Sequence, residues 1–334
     1  MKVFVTGATG FIGSHLVPRL LRDGHALRCL VRRPGAGRRL EEPGAATVTG
    51  DVTDRESIGR AMSGCDCVIH LANVYSFWEA DRHTYAKVNV EGTRHVMECA
   101  LAAAIPRVVH ISSAVIYGRP TDLPFTEESP VGPVRFSEYA RTKYEGDRVA
   151  WELHERRGLP LVTIMPGAVL GPGDTRATGD YIRRLVRRSM PARIMEDSVL
   201  TFVHVRDVAE AIALAAARDD LSGARLLVGA QRLSLRELNR MVGEISGVPL
   251  PALRLPGSLA MAGAALLTWL ADRVGQAPPW GMSTDQIRTM KEGFQFDGGK
   301  AERELGLVYT PIRVALEEAI RAACAQERFG LATR

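Results

Sequence analysis

Short apolar, β-branched runs alternate with longer amphipathic stretches through the first half of the chain. "KVFVT", "ALRCLV", "ATVTG", "CVIHLA", "RVVHIS" and "LVTIM" predict strands. Apolar positions three and four apart predict helices between them, near 11–22, 54–62, 80–103 and 137–157. Buried strands separated by helices imply a parallel sheet covered on both faces. Right-handed crossovers then make it doubly wound. Past residue 167 the alternation weakens, and "PGAVLGPGD" reads as loop. "TFVHV" returns as a strand and feeds the helix "RDVAEAIALAAA". Then come "ARLLVG", a helix near 235–245, an uncharged stretch over 255–271 and an amphipathic helix near 311–326. The expected organisation is an α/β domain over 1–166, with segments near 201–230 returning to it. A smaller α/β lobe over 167–334 interleaves with it.

The 334 residues, 46% hydrophobic and 24% charged, are enough for a substantial core. The net charge of +5 suits an anionic small molecule or a negative membrane surface. No basic-aromatic array points to nucleic acid. Arg183, Arg184, Arg187 and Arg188 fall at helical spacing, as a solvated helix face or as a contact for an anionic substrate. Five cysteines, an odd number without framework spacing, fit reduced thiols and a cytoplasmic protein. Cys65 and Cys67 are expected on one side of a strand. Without CxxC or HExxH, no metal site is expected. "MKVFVTG" enters a strand at once, so no signal peptide is expected. Leu255 to Ala271 carries no charge but is short for a membrane span. It is expected as a buried or pocket-covering helix, with peripheral membrane contact as the alternative.

The most informative stretch follows the first strand: Thr6-Gly7-Ala8-Thr9-Gly10-Phe11-Ile12-Gly13. Gly7 permits a tight turn, Gly10 lets backbone approach a pyrophosphate, and Gly13 lets the helix close on the strand. The helix N-terminus then offers free N–H groups and a positive dipole end to the anion. The second strand ends beside Arg32 and Arg33, where an acid would favour NAD and a guanidinium the 2′-phosphate of NADP. NADP(H) is therefore the expected cofactor, with Arg32 as the contact.

Together these pieces resemble the extended short-chain dehydrogenase/reductase family, over nearly the whole chain. The resemblance implies a Rossmann-type fold and a set of site residues. "GDVTD" is similar to the adenine-binding segment, with Asp51 and Val52 at the base. "HLAN" is similar to the segment under the ribose and nicotinamide, implying Leu71, Ala72 and Asn73. "ISSAVIYG" implies a catalytic Ser113, and "YARTK" implies a Tyr139 and Lys143 dyad that also contacts the cofactor. "MPGAVLGPGD" implies Pro166 and Val169 at the carboxamide. "NVYSFWEADRHTYAKVNVEGT" and the tail "STDQIRTMKEGFQFDGGKAERELG" resemble the dihydroflavonol-reductase-like branch, which includes 3β-hydroxysteroid dehydrogenase relatives. Met165 stands where nucleotide-sugar epimerases often carry Arg, and Ala114 where dehydratases usually want an acid.

Hydride transfer to a carbonyl needs a donor beside the oxygen and a proton. Tyr139 is the expected acid/base. Lys143, one helical turn away, is expected to lower the phenol's pKa and to bond the nicotinamide ribose, and Ser113 to polarise the substrate oxygen. The positive ring of the oxidised nicotinamide is expected to push the phenol the same way. Asn89 is read as a cap or a cofactor-side contact, Tyr117 and Tyr144 as packing, and His70 and His204 as structural. Tyr75, Phe77 and Trp78, with Met261, Leu266, Leu267, Trp269, Pro278, Pro279 and Trp280, are expected to line an apolar substrate cleft. The expected function is an NADP(H)-dependent oxidoreductase interconverting a ketone or aldehyde and an alcohol on a hydrophobic small molecule. The alternatives are a nucleotide-sugar epimerase or dehydratase and a non-catalytic NADP(H)-sensing protein. A homodimer through the helices near 80–103 and 137–157 is an expectation of the resemblance.

Overall fold

The computed structural model describes residues 1–330, apart from 38, 39, 41 and 42. The chain opens with β1 (Lys2–Thr6), α1 (Phe11–Arg22), β2 (Ala26–Val31), β3 (Ala45–Thr49), α2 (Arg55–Met62) and β4 (Cys67–His70). A long helical stretch follows: α3 (His83–Ala86), a π-helical segment (Lys87–Gly92) and α4 (Thr93–Ala102). Then come β5 (Val108–Ile111), α5 (Glu138–Arg157), β6 (Leu161–Pro166), β7 (Ala168–Leu170), α6 (Ala177–Val186), β8 (Val199–His204) and α7 (Val205–Ala216). The remainder is β9 (Arg225–Val228), β10 (Gln231–Ser234), α8 (Leu235–Ser246), α9 (Gly257–Val274), α10 (Thr284–Glu292), α11 (Gly299–Leu305) and α12 (Ile312–Gly330).

Among the described residues a seven-stranded parallel sheet runs β3-β2-β1-β4-β5-β6-β9. Strand order reverses beside β1, which opens a crevice at the strands' carboxyl ends. Alternate side chains feed two cores. Val3, Val5, Cys67 and Ile69 pack with Leu16 and Leu20 of α1 and Val208 and Ile212 of α7. Phe4, Val68 and Val108 pack on the other face, with Ile58 of α2, Met97 of α4 and Val149 of α5. A second sheet, β10-β8-β7, forms the base of the smaller lobe. Its core joins Leu170 and Phe202 to Leu238 of α8 and Leu316 of α12.

Several expectations are corrected. "PGAVLGPGD" contributes a strand, β7, because β8 pairs with it in parallel from far along the chain. β8 belongs to the small sheet, whereas β9 returns to the large one. "CVIHLA" leaves the strand after His70, where the Ala72 amide turns back onto Thr6 Oγ1 at 3.2 Å. Cys65 lies before β4 and packs on the α2 side, while Cys67 packs on the α1 side, so the two thiols do not share a face. Both are free thiols.

The expected continuous helix over 80–103 is broken by the π-helical segment, a wider turn that redirects side chains. Asn89 sits in it, and its Oδ1 accepts from the Val74 amide at 2.7 Å while Nδ2 donates to Thr142 Oγ1 at 3.1 Å. It is neither a helix cap nor a cleft residue. The turn presses its backbone onto α5, where a Cβ added at Gly146 would lie 2.2 Å from the Asn89 carbonyl oxygen. Gly146→Ala should therefore destabilise the protein by about 1–3 kcal/mol, the usual cost of overpacking. Urea denaturation checks this, and an unchanged midpoint would contradict the tight fit.

Candidate active site

The glycine loop builds one end of the crevice. Gly7 adopts φ +74°, and a Cβ there would meet the Ala72 nitrogen at 2.7 Å. A Cβ on Gly13 would meet the Gly7 carbonyl oxygen at 2.4 Å. These contacts hold α1 hard against β1 and β4. Gly10 is the N-cap of α1, with no capping side chain and no acid in the first turn. The first amides of α1, those of Phe11, Ile12 and Gly13, have no partner within the helix and face the crevice as anion donors. A dinucleotide pyrophosphate fits such a cradle.

From this loop a cleft of about 800 Å³ runs into the smaller lobe. Thr6, Thr9, Arg32, Asp51 and Val52 line the glycine-loop end. Leu71, Ala72, Asn73, Pro166 and Val169 line its middle, with Ser113 and Tyr139. Of the residues expected at the cofactor, Lys143, like Asn89, does not line the cleft. It is buried behind it, and its Nζ donates to the Ile111 carbonyl at 2.7 Å.

Local structure explains these placements. Ser137 caps α5 by accepting from the Ala140 amide at 3.1 Å, which puts Tyr139 in the first turn. The Glu138 amide donates to Asp285 Oδ2 at 2.8 Å and ties that turn to α10. Ser113 lies just beyond β5 in extended backbone. The Tyr139 ring packs edge-on against Tyr75, at 5.1 Å between centroids, and against Phe77, at 6.0 Å.

The expected electrostatics of the dyad are corrected. Burial pushes the Tyr139 phenol up to about 12, and the Ser113 hydroxyl, within reach of it, pulls the other way. The phenol is thus protonated at neutral pH. Lys143 itself is the perturbed cation: burial lowers its pKa to about 8, and the Asp147 carboxylate opposes that fall.

Behind Lys143 a polar row crosses the sheet in register. Thr6 pairs with His70, His70 with His110, His110 with Thr163, and Thr163 with Arg225. His70 is bracketed by Thr6 Oγ1 at 2.8 Å and Thr93 Oγ1 at 3.1 Å, a structural role as expected. Burial holds it neutral, with a pKa of about 3, and the Lys143 charge adds to this. His110 stacks on His70 at 5.6 Å, with Nε2 3.9 Å from Asp147 Oδ1, and burial lowers its pKa as well. Burial raises the Asp147 pKa, against the pull of Arg225 3.7 Å away. His204 caps α7 by accepting from the Arg206 amide at 2.9 Å, and it too is structural. Tyr117 stacks on Phe125, and Tyr144 packs against the same cluster.

The substrate end differs from expectation. Tyr75 and Phe77 line the cleft, but Trp78 turns away and donates from Nε1 to Asp272 Oδ1 at 2.8 Å. Met261, Leu266, Leu267, Trp269, Pro278, Pro279 and Trp280 do not line the cleft either. α9 packs outside α10, so α10 supplies the wall with Gln286, Thr289 and Met290. Leu200, Phe202, Leu235, Leu238, Tyr181 and Phe294 complete the apolar side. These residues come from five separate segments and carry no shared motif, so sequence reasoning missed them. Arg183 and Arg184 both pair with Asp180 on α6 and stay outside the cleft. Among the described residues Arg176 is the arginine lining this end, together with the acids Glu79 and Asp174, and its backbone amide donates to Asp174 Oδ1 at 2.9 Å.

Residues 3–229 match the model of the NAD dependent epimerase/dehydratase family. The chain belongs to that family, the extended short-chain dehydrogenases/reductases, and is an NAD(P)-dependent enzyme. It is 33% identical over 328 residues to a protein named putative dihydroflavonol 4-reductase from Synechocystis, covering 95% of this chain and 93% of that one. It is 32% identical to sterol demethylase protein B from Methylococcus capsulatus, covering 96% and 97% of the two chains. Among solved structures it superposes on gox2253 with a TM-score of 0.84 at 33% identity, covering 98% of this chain and 99% of that one.

The site's least ordinary charge is open to direct measurement. The Lys143 ammonium should titrate near pH 8, below the ordinary lysine value, in carbon-13 NMR of lysine labelled at Cε. Asp147→Asn removes the group that retains the proton, so its midpoint should fall further. An ordinary lysine midpoint in both proteins would contradict the burial argument.

Proposed function

We propose that the protein is an NADP(H)-dependent oxidoreductase that reduces a carbonyl on a hydrophobic small molecule, of flavonoid, steroid or terpenoid size and polarity. One observation carries this reading. A buried, protonated phenol stands beside a serine hydroxyl where the glycine-loop cleft meets an aromatic, apolar chamber. The bound nicotinamide would supply the hydride. Ser113 holds and polarises the carbonyl oxygen. Tyr139 Oη donates its proton as negative charge grows there, and its high pKa keeps that proton in place at neutral pH until then. Lys143, bonded to the Ile111 carbonyl and favoured in its charged form by the Asp147 carboxylate, keeps a positive charge behind the phenol below about pH 8.

The lining supports a hydrophobic substrate over a nucleotide sugar. A nucleoside diphosphate entering the substrate end would bring two phosphates to a wall with one guanidinium, Arg176, and the two acids Glu79 and Asp174. The names of the two relatives, a dihydroflavonol reductase and a sterol demethylation protein, lean the same way.

A panel of hydrophobic ketones, aldehydes and nucleotide sugars, followed by NADPH oxidation and product analysis, tests the reading. Turnover is expected on the hydrophobic carbonyls, and Tyr139→Phe should slow it at least ~100-fold while NADPH still binds. Interconversion of a nucleotide sugar alone, without net NADPH oxidation, would overturn it. So would near-normal turnover by Tyr139→Phe, or NADPH binding with no turnover on any member.

Cofactor choice rests on the exposed Arg32 at the end of β2, where no acid stands to take a ribose hydroxyl. Arg32→Ala should weaken NADPH binding at least ~10-fold and leave NADH binding nearly unchanged, as read by calorimetry. Equal losses for both cofactors would remove Arg32 as the discriminating group.

A further inference from the structure

α9 is unlike the other long helices of the chain. From Leu255 to Ala271 it has no charged residue. Its inner face is a strip of small side chains, Ala260, Ala264 and Ala271, with the first two packed on Ile194 and Ile287. Met261 packs beside that strip, but most of the helix's large side chains point outward. Leu259 is 57% exposed, Leu266 58%, Trp269 51% and Val274 65%. Leu253 before the helix and Trp280 after it are exposed as well. A helix that buries alanines and shows leucines to solvent has its hydrophobic face inverted relative to a helix that serves only the core.

The charges around this face define its occupant. Arg254 precedes the helix, pairs through Nε with the buried Glu196 at 3.4 Å and is still 61% exposed, and Arg273 closes the helix with its guanidinium 4.3 Å over the Trp269 ring. The acid at that end, Asp272, is held by Trp78 and Arg82 on the other side. An apolar strip with tryptophans near one end and guanidinium groups at both ends matches a bilayer interface. Leucines would enter the acyl region, indole rings would sit at the headgroups and arginines would meet lipid phosphates. The chain's net charge of +5 favours the same anionic surface. A second copy fits less well. Two such helices packed antiparallel would set Arg254 against the partner subunit's Arg273, like against like.

We propose that α9 docks the protein peripherally on an anionic lipid surface, lying in the plane of the interface. Among the described residues no helix is long and apolar enough to cross a membrane, so the contact is a surface one. α10 lies directly beneath α9 and carries Gln286, Thr289 and Met290 into the cleft. Docking therefore brings the cleft wall within one helix of the lipid phase, a suitable source for a hydrophobic substrate. That last step rests on the proposed function, whereas the docking does not.

Co-sedimentation of the full chain with phosphatidylcholine vesicles, with and without phosphatidylglycerol, tests the proposal. Binding is expected to the anionic vesicles and should weaken as salt rises. Leu266→Asp with Trp269→Asp should lower the bound fraction at least ~10-fold. The melting temperature and turnover of a water-soluble carbonyl should be retained, because both side chains lie outside the core and the cleft. Arg254→Gln with Arg273→Gln should lower binding to anionic vesicles selectively. Absence of vesicle binding by the wild type, or equal binding by the aspartate variant, would overturn the proposal. So would sedimentation equilibrium showing a wild-type dimer that Leu266→Asp dissociates, without vesicle binding. Vesicle binding without carbonyl turnover would overturn the proposed function and leave the docking standing.

Discussion

A buried ammonium group bonded to a strand-end carbonyl organises this molecule. Lys143 extends from α5 to the Ile111 carbonyl at the end of β5. That bond fixes the helix against the strand and so sets Tyr139, one turn earlier on α5, beside Ser113, just past the strand. A cation taken out of water needs compensation. Here it comes from the Ile111 carbonyl and from Asp147 one turn further along, while the two nearby histidines stay neutral through burial and the Lys143 charge and so add no like charge. The phenol faces the cleft while the charge stays behind it. Proton donor and cation thus come from one face of α5, one helical turn apart.

The polar row under α4 and α5 belongs to the same arrangement. Parallel pairing brings Thr6, His70, His110, Thr163 and Arg225 into register at one level of the sheet. The face that holds this row is apolar one layer further from the crevice, at Phe4, Val68, Val108 and Leu161. Side chains two apart on a strand share a face, so the change from apolar to polar comes within one step on every strand. The row begins at the strand that carries the glycine loop and reaches the half-exposed Arg225 at β9. It gives the dyad a polar backing without opening the sheet to water.

The smaller lobe follows a different physical rule. Its sheet is three strands wide and its walls come from α6, α8 and α10 together with the ends of β8. Each contributes two or three residues to the chamber, and none carries a functional signature of its own. Specificity here is a property of assembly. The outward leucines of α9 show the same separation: the helix is apolar, but the wall of the cleft belongs to its neighbour.

Sequence alone determined the parts whose chemistry is local. A glycine that must take φ +74°, or that must accept a backbone at 2.4 Å, has no substitute, so the loop was legible residue by residue. Strand and helix periodicities placed nearly every element of the large sheet, because burial on two faces leaves a strong pattern. Ser113 and Tyr139 were legible by motif and order along the chain. Tertiary structure decided the rest. It sent Lys143 behind the cleft, broke the helix at Asn89, turned Trp78 toward α9 and made a strand of Ala168–Leu170. It also reversed the expected shift of the phenol, because desolvation depends on what surrounds a group in three dimensions and not on a cation four residues away in sequence.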